Sequence, residues 1–179
     1  AHKSLPVLTG GSYLHVSKFA PKMLCDYAGI ALSLFSSTSP SYLILQSLDL
    51  CNAYLDQGYQ KKLYEAAAEI HELKKKMRRH GYQTVGTEPL KVTVLTKPYG
   101  YAGTDFAEIL KTKNIYVEFS DPDFIVLMLT PEQDQLTLDE IFKVFSEIPQ
   151  KDPILSFPPK IPAVEKCISP KEAIFSACE

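Results

Sequence analysis

The chain has 179 residues, 45% hydrophobic and 22% charged, with a formal net charge of −2. This is ordinary soluble globular material, long enough for one good core or for part of a domain joined to a smaller one. The near-neutral balance argues against a nucleic-acid or polyanion binder, and no run reaches the roughly 18 apolar residues of a membrane helix.

No basic-then-apolar leader opens the chain, and the expected location is the cytosol. Cys25, Cys51, Cys167 and Cys178 form no C-x-x-C and have no histidine at metal-ligand spacing, so reduced thiols are expected rather than a zinc site or a disulfide scaffold.

In chain order, residues 14–16 read as a short strand. Residues 21–34 carry Met23, Leu24, Tyr27, Ile30 and Leu32 and read either as a helix or as a strand and turn. The Ser36-Ser37-Thr38-Ser39-Pro40 cluster breaks the chain and starts a helix over about 40–55, with Leu43, Ile44, Leu48, Cys51 and Leu55 on one face. Gly58 interrupts. A second helix over about 59–80 carries Leu63, Ala66, Ala67, Ile70, Leu73 and Met77 as one stripe, and Gly81 stops it. The basic residues Lys74, Lys75, Lys76, Arg78 and Arg79 in its last turns read as a solvated helix end complementing the helix dipole.

After residue 90 the pattern changes. Residues 91–95 alternate as a strand, 97–103 form a loop, and Thr104 caps a helix to about 112. Residues 115–119 read as a second strand; 124–129, a continuous apolar run after the Asp121-Pro122-Asp123 turn, as a buried one. Thr137 and Glu140 have capping-box spacing and open a helix to about 148. Prolines 149, 153, 158, 159 and 162 keep the tail extended, and Ser169-Pro170 starts a short helix. The glycines at 100 and 103 lack both the Walker ending and a GxGxxG form, so they mark a strand-to-helix turn; Gly11-Ser12 is not in a G-x-S-x-G frame. Strand, helix, strand, strand, helix makes a compact α+β unit whose boundary falls within 81–89.

Four segments carry a chemistry when taken together: Ala1-His2-Lys3-Ser4-Leu5-Pro6 running on to Tyr13-Leu14-His15-Val16; Ser37-Thr38-Ser39-Pro40-Ser41-Tyr42 with Ser47-Leu48-Asp49; Asn114-Ile115-Tyr116-Val117-Glu118; and Ile168-Ser169-Pro170-Lys171-Glu172-Ala173. In this order they resemble the Orn/Lys/Arg decarboxylase family, and the first resembles its pyridoxal-phosphate attachment segment. The resemblance implies a fold-type-I α/β enzyme. Residues 1–85 would be the end of the large cofactor-binding domain with its linking helices, and 86–179 a small C-terminal α+β domain with a proline-rich tail. It also implies that the chain is a fragment, with the ring-holding part of the large domain missing or on a companion chain.

The implied reaction is decarboxylation of arginine, lysine or ornithine to the amine, as in polyamine biosynthesis, in a homodimer or higher homo-oligomer. Lys3 is the implied Schiff-base lysine, although His-Lys alone carries little information. His2 would help hold the phosphate, or is a histidine bonded to the backbone. Thr38 and Ser39 would reach the phosphate of the neighbouring subunit, or only cap a helix. Glu118 would pair with the distal cation of the substrate; by alternation alone it shares a solvent face with Tyr116. Another fold-type-I activity, an aminotransferase or carbon–carbon lyase, and a non-catalytic remnant are the competing readings.

Overall fold

The computed structural model describes residues 5–155, 162–163 and 165–176. Its first element is α1, Lys22–Phe35, which settles the ambiguous stretch as helix. The expected strand at 14–16 is absent: Leu14 and Val16 stay exposed, and none of the described residues pairs with them. The second helix, α2 (Tyr42–Tyr54), is followed by a wide turn, Leu55–Tyr59. Gly58 has φ +87° there, a backbone position that a side chain makes costly.

The third helix, α3 (Gln60–Arg79), carries the expected stripe, and Ala66, Ile70, Leu73 and Met77 on it are buried. Its basic end is less solvated than the sequence implied. Lys74 is buried and donates to the Glu88 carbonyl at 2.7 Å, while Lys76 reaches across to Asp139 at 2.8 Å. Burial holds the Lys74 ammonium below the usual lysine range, with Arg78 adding repulsion.

The sheet follows: β1 (Gln83–Val85), β2 (Lys91–Leu95), α4 (Gly103–Thr112), β3 (Phe119–Ser120), β4 (Phe124–Met128) and α5 (Gln135–Glu147), with a short α6 (Pro170–Phe175) in the tail. The strand order is β1-β2-β4-β3, antiparallel throughout, with Val92 opposite Leu127 and Val94 opposite Ile125. The architecture is therefore mixed helix and antiparallel sheet. It straddles the boundary expected at 85/86, because β1 on the N-terminal side pairs with β2.

Alternate residues decide the packing. Val92, Val94, Ile125 and Leu127 are buried on one face, where α3, α4 and α5 supply Met77, Phe106, Leu110 and Phe145. Phe106 and Phe145 are fully buried and pack against Tyr82, with Tyr99 stacked on Tyr82 at 3.9 Å between ring centroids. Three phenols then tie the sheet to the end of α5: Tyr82 donates to the Phe145 carbonyl at 2.8 Å, Tyr99 to Ile148 at 3.2 Å and Tyr101 to Pro149 at 2.7 Å. Burial pushes the Tyr82 phenol far above its ordinary value, so it stays a donor. Tyr82→Phe keeps the ring and removes that bond. We expect a loss of about 1 kcal/mol in chemical denaturation with an unchanged m-value; a midpoint equal to that of the parent would show that the hydroxyl contributes nothing.

Three helix starts differ in detail from expectation. At α4, Ala102 is the cap and Thr104 makes no capping bond; the Gly103 N–H goes instead to the Pro122 carbonyl at 3.2 Å. At α5 the cap is Asp134, whose carboxylate accepts from the Thr137 N–H at 2.8 Å, so Thr137 lies inside the helix rather than at its cap. At α6, Ser169 and Glu172 form the capping box, which adds to the expected Ser169 cap with Pro170 behind it. The expected strand over 115–119 shrinks to Phe119–Ser120, since Asn114 at φ +61° and the Ile115 N–H to Leu110 bond turn the chain off the end of α4. The alternation persists without a ladder: Ile115 and Val117 pack on the core, and Tyr116 and Glu118 are exposed. The proline-rich tail is extended over 151–155 and pinned, with Lys151 N–H to the Tyr99 carbonyl at 3.1 Å and Ile154 N–H to Lys97 at 3.0 Å.

Candidate functional site

The segment that follows Lys3 lies along α2. Gly10 at φ +96° lets the chain double back, and a Cβ on Gly11 would strike the Val7 side chain at 2.5 Å and Ile44 at 3.3 Å. Val7 is buried there. Two polar ties fix the register: the Ser47 hydroxyl accepts the Leu8 N–H at 3.2 Å, and the Tyr13 hydroxyl donates to the Leu48 carbonyl at 2.6 Å. Both partners sit in the Ser47-Leu48-Asp49 stretch, which the sequence reading matched without giving it a task. A helix-interior serine gives no sign in sequence of whether it bonds its own helix or another segment; here it also donates to Ile44 at 2.8 Å. Burial, then Cys51 beside it, pushes the Tyr13 phenol above its ordinary value.

Lys3 and His2 lie outside the described residues. Thr38 and Ser39 are on the exposed α1–α2 loop and do not cap α2; Ser41 holds the cap position, with no side-chain capping bond. The Ser39 N–H instead donates to the Ser37 hydroxyl at 3.1 Å. This loop therefore presents several hydroxyls and the uncapped first turn of α2, and positions 27–48 contain no acidic or basic side chain. Those donors suit a phosphate chemically. Glu118 stands where the chain enters β3. Its N–H donates to Val126 at 2.8 Å while Phe119 also pairs with Val126, the two-against-one arrangement of a β-bulge. The expected site residues that are described are thus spread over two places, the α1–α2 loop and the edge of the sheet.

A polar cluster away from both ties the C-terminal end of α2 to α3 and the loop after β4. Glu132, in the loop after β4, accepts from the Tyr54 hydroxyl at the end of α2 and from Lys62 on α3 at 3.1 Å. The Tyr54 bond and then Lys62 hold the Glu132 carboxyl below its usual range, while burial and that same bond push the Tyr54 phenol up to about 12. The depressed Glu132 contributes stability above the unfolded carboxylate range and loses it as pH falls through the folded value. The raised Tyr54 contributes below about pH 10 and loses it as pH climbs through about 12. NMR shifts of the Tyr54 ring should therefore report release of the cluster at both ends of the pH scale; in Glu132→Gln the acid transition should vanish. A groove of about 560 Å³ lies between α5 and the 113–116 turn, floored by Ile115, Leu127, Ile141 and Val144, and includes none of the expected site residues.

Among the described residues no helix is long and apolar enough to cross a membrane. Comparison with known proteins places this geometry. Residues 1–99 match the model of the Orn/Lys/Arg decarboxylase major domain. The protein YaaO of Bacillus subtilis (strain 168) is 31% identical over 162 residues, covering 86% of this chain and 33% of that protein. An arginine decarboxylase of the same organism is 29% identical over 133 residues, covering 67% of this chain and 27% of its own. Among solved structures, the constitutive lysine decarboxylase of E. coli matches at a TM-score of 0.56 and 17% identity, covering 82% of this chain and 27% of that one. The chain spans about a third of the length of the curated relatives it matches. With more than half of its residues inside the family model, the chain belongs to the Orn/Lys/Arg decarboxylase family.

Proposed function

We propose that this chain forms part of a pyridoxal-phosphate-dependent decarboxylase acting on arginine, lysine or ornithine in the cytosol. The observation that carries the reading is the family match over 1–99, which includes the Lys3 motif and the hydroxyl loop. In this reading residues 1–85 are the end of the large fold-type-I domain with its linking helices, and 86–179 are the small α+β domain. The large-domain side then lends β1 to the small domain's sheet.

Loss of the α-carboxylate leaves an electron pair that no protein side chain delocalises, and pyridoxal phosphate supplies the sink when bound. The chain's own residues do the rest. Lys3 would offer the amine that holds the cofactor, and its Nζ would be the group placed to hold the proton that the α-carbon takes up. His2 steadies the phosphate beside it. Thr38 and Ser39 donate to the phosphate of the neighbouring subunit, which makes the active assembly a homodimer or a multiple of one. Glu118 pairs with the distal cation of the substrate and rejects neutral side chains, because they would leave its charge uncompensated.

Product analysis tests the reading. Given the cofactor, the remainder of the large domain and each basic amino acid in turn, carbon dioxide with agmatine or a diamine is expected; a keto acid would make the protein an aminotransferase instead. The 179 residues alone should show no turnover, because a lysine without the ring-holding part of the domain cannot orient the cofactor.

A further inference from the structure

The segment that follows Lys3 is seated on α2 by directed bonds more than by burial. Of residues 5–13 only Val7 and Gly11 are buried, and of α2 only Cys51. So small an apolar contact fixes position weakly, because burial has no direction. The hydrogen bonds do have one. Val7 N–H to the Leu5 carbonyl at 2.8 Å and Gly11 N–H to the Leu8 carbonyl at 3.0 Å close two consecutive turns. Leu8 and Tyr13, at either end of the second turn, then attach it to Ser47 and Leu48, consecutive residues of α2. The Ser47 hydroxyl suits this task because its own proton goes to the Ile44 carbonyl, which leaves its lone pairs for the Leu8 N–H.

Stiffness carries the seat back towards the amine. Pro6 fixes φ inside the first turn, and Ser4 alone separates Lys3 from the described chain. Lys3 lies four residues before Val7, so covalent geometry keeps its backbone within about 14 Å of the seat. The helix that carries Ser47 and Leu48 also begins just after Thr38 and Ser39. One rigid element is therefore the frame both for the motif segment and for the hydroxyl loop.

We propose that Ser47 and Tyr13 are positioning residues for the Lys3 amine, acting through the backbone of its segment and not on the substrate. The proposal rests on the reading of Lys3 as the attachment lysine, and its test separates the two. In the intact 179-residue chain without cofactor, the Leu8 amide should be protected from hydrogen exchange, and Ser47→Ala should speed its exchange about tenfold. Melting should move by no more than about 2 °C, since alanine's helix propensity offsets the lost bond. With the rest of the major domain and pyridoxal phosphate supplied, Ser47→Ala and Tyr13→Phe should each slow formation of the borohydride-trapped adduct on Lys3 about tenfold; kcat should fall alike, with KM unchanged. Ser47→Thr keeps the acceptor and should recover most of the loss. Ser33→Ala, which removes a hydroxyl bonded to Ile30 within α1, should change nothing. A structural role alone would lower the folded fraction and leave the rate per folded molecule at the parent's value. Adduct formation at the parent's rate in both variants would overturn the proposal and leave Lys3 as the attachment lysine. An unprotected Leu8 amide in the parent would overturn it whatever the cofactor does. A parent label that maps to another lysine would remove the attachment reading and this inference with it.

Discussion

Lys3→Arg should abolish borohydride trapping of pyridoxal phosphate on the first peptide of the chain when the rest of the major domain is present, and decarboxylation should fall at least about a thousandfold. Arginine keeps the positive charge and most of the length, so any role of Lys3 as a charge partner survives. It lacks a free amine, because the guanidinium does not deprotonate in the working range. The contrast with His2→Ala sharpens the result. A residue that steadies the phosphate weakens cofactor affinity without removing the trapped adduct, so that variant should still be labelled when the cofactor is raised. The competing lysines nearest in sequence are Lys18 and Lys22. Label that persists in Lys3→Arg and maps to either would move the attachment point and remove the basis for the present assignment.

What was legible in the sequence follows the range of the interactions involved. The stripe on α3 and the alternation in β2 were readable because burial on one face leaves a local period, and Gly58 and Gly81 punctuated the chain where a positive φ was required. Residues 14–16 form no strand and 115–119 only the start of one, at Phe119, because an apolar run becomes a strand only if another strand lies alongside, and that is fixed by distant residues. β1 went unread for the converse reason: Gln83-Thr84-Val85 has almost no apolar character, and its pairing with β2 makes it a strand. The caps at Ala102 and Asp134 displaced the expected Thr104 and Thr137, because a carbonyl from the β3–β4 turn and a carboxylate outcompeted a threonine hydroxyl. As to the site, the hydroxyl loop and Glu118 could be nominated from motif, but the two ties from Leu8 and Tyr13 of the motif segment to Ser47 and Leu48 could not, since they join positions 39 and 35 residues apart. Those two bonds hold the described continuation of the Lys3 segment to α2, the helix that follows the Thr38–Ser39 loop.

Gly103→Ala should be the most disruptive single methyl in the molecule, and the reason is backbone meeting backbone. A Cβ at 103 would lie 2.2 Å from the Asp121 carbonyl oxygen and 2.6 Å from that of Phe124. Neither oxygen can rotate away. The turn is held by the Asp121 carboxylate, which accepts from the N–H groups of Asp123 and Phe124 at 2.8 and 2.9 Å. Thr96 N–H to the Asp123 carbonyl and the Lys97–Asp123 ion pair at 2.6 Å hold it from the side of β2. Either the turn or α4 must move, and α4 carries Phe106 and Leu110, both fully buried. Alanine's helix propensity returns about 1 kcal/mol at most, against an overpacking cost of about 3 kcal/mol or more, so a net loss of about 2–3 kcal/mol and a fall in Tm of roughly 10 °C are expected. Gly29→Ala in α1 is the control: nothing lies within 4 Å of its Cβ, and it should be neutral or slightly stabilising. Calorimetry of the two variants decides the matter, since a Gly103→Ala protein that melts with the parent would mean that α4 does not press on the turn. Because β3 leads directly into the turn, displacing the turn also moves the bulge at Glu118; loss of stability and loss of discrimination against neutral amino acids should therefore appear together in this variant, and separately in Glu118→Gln.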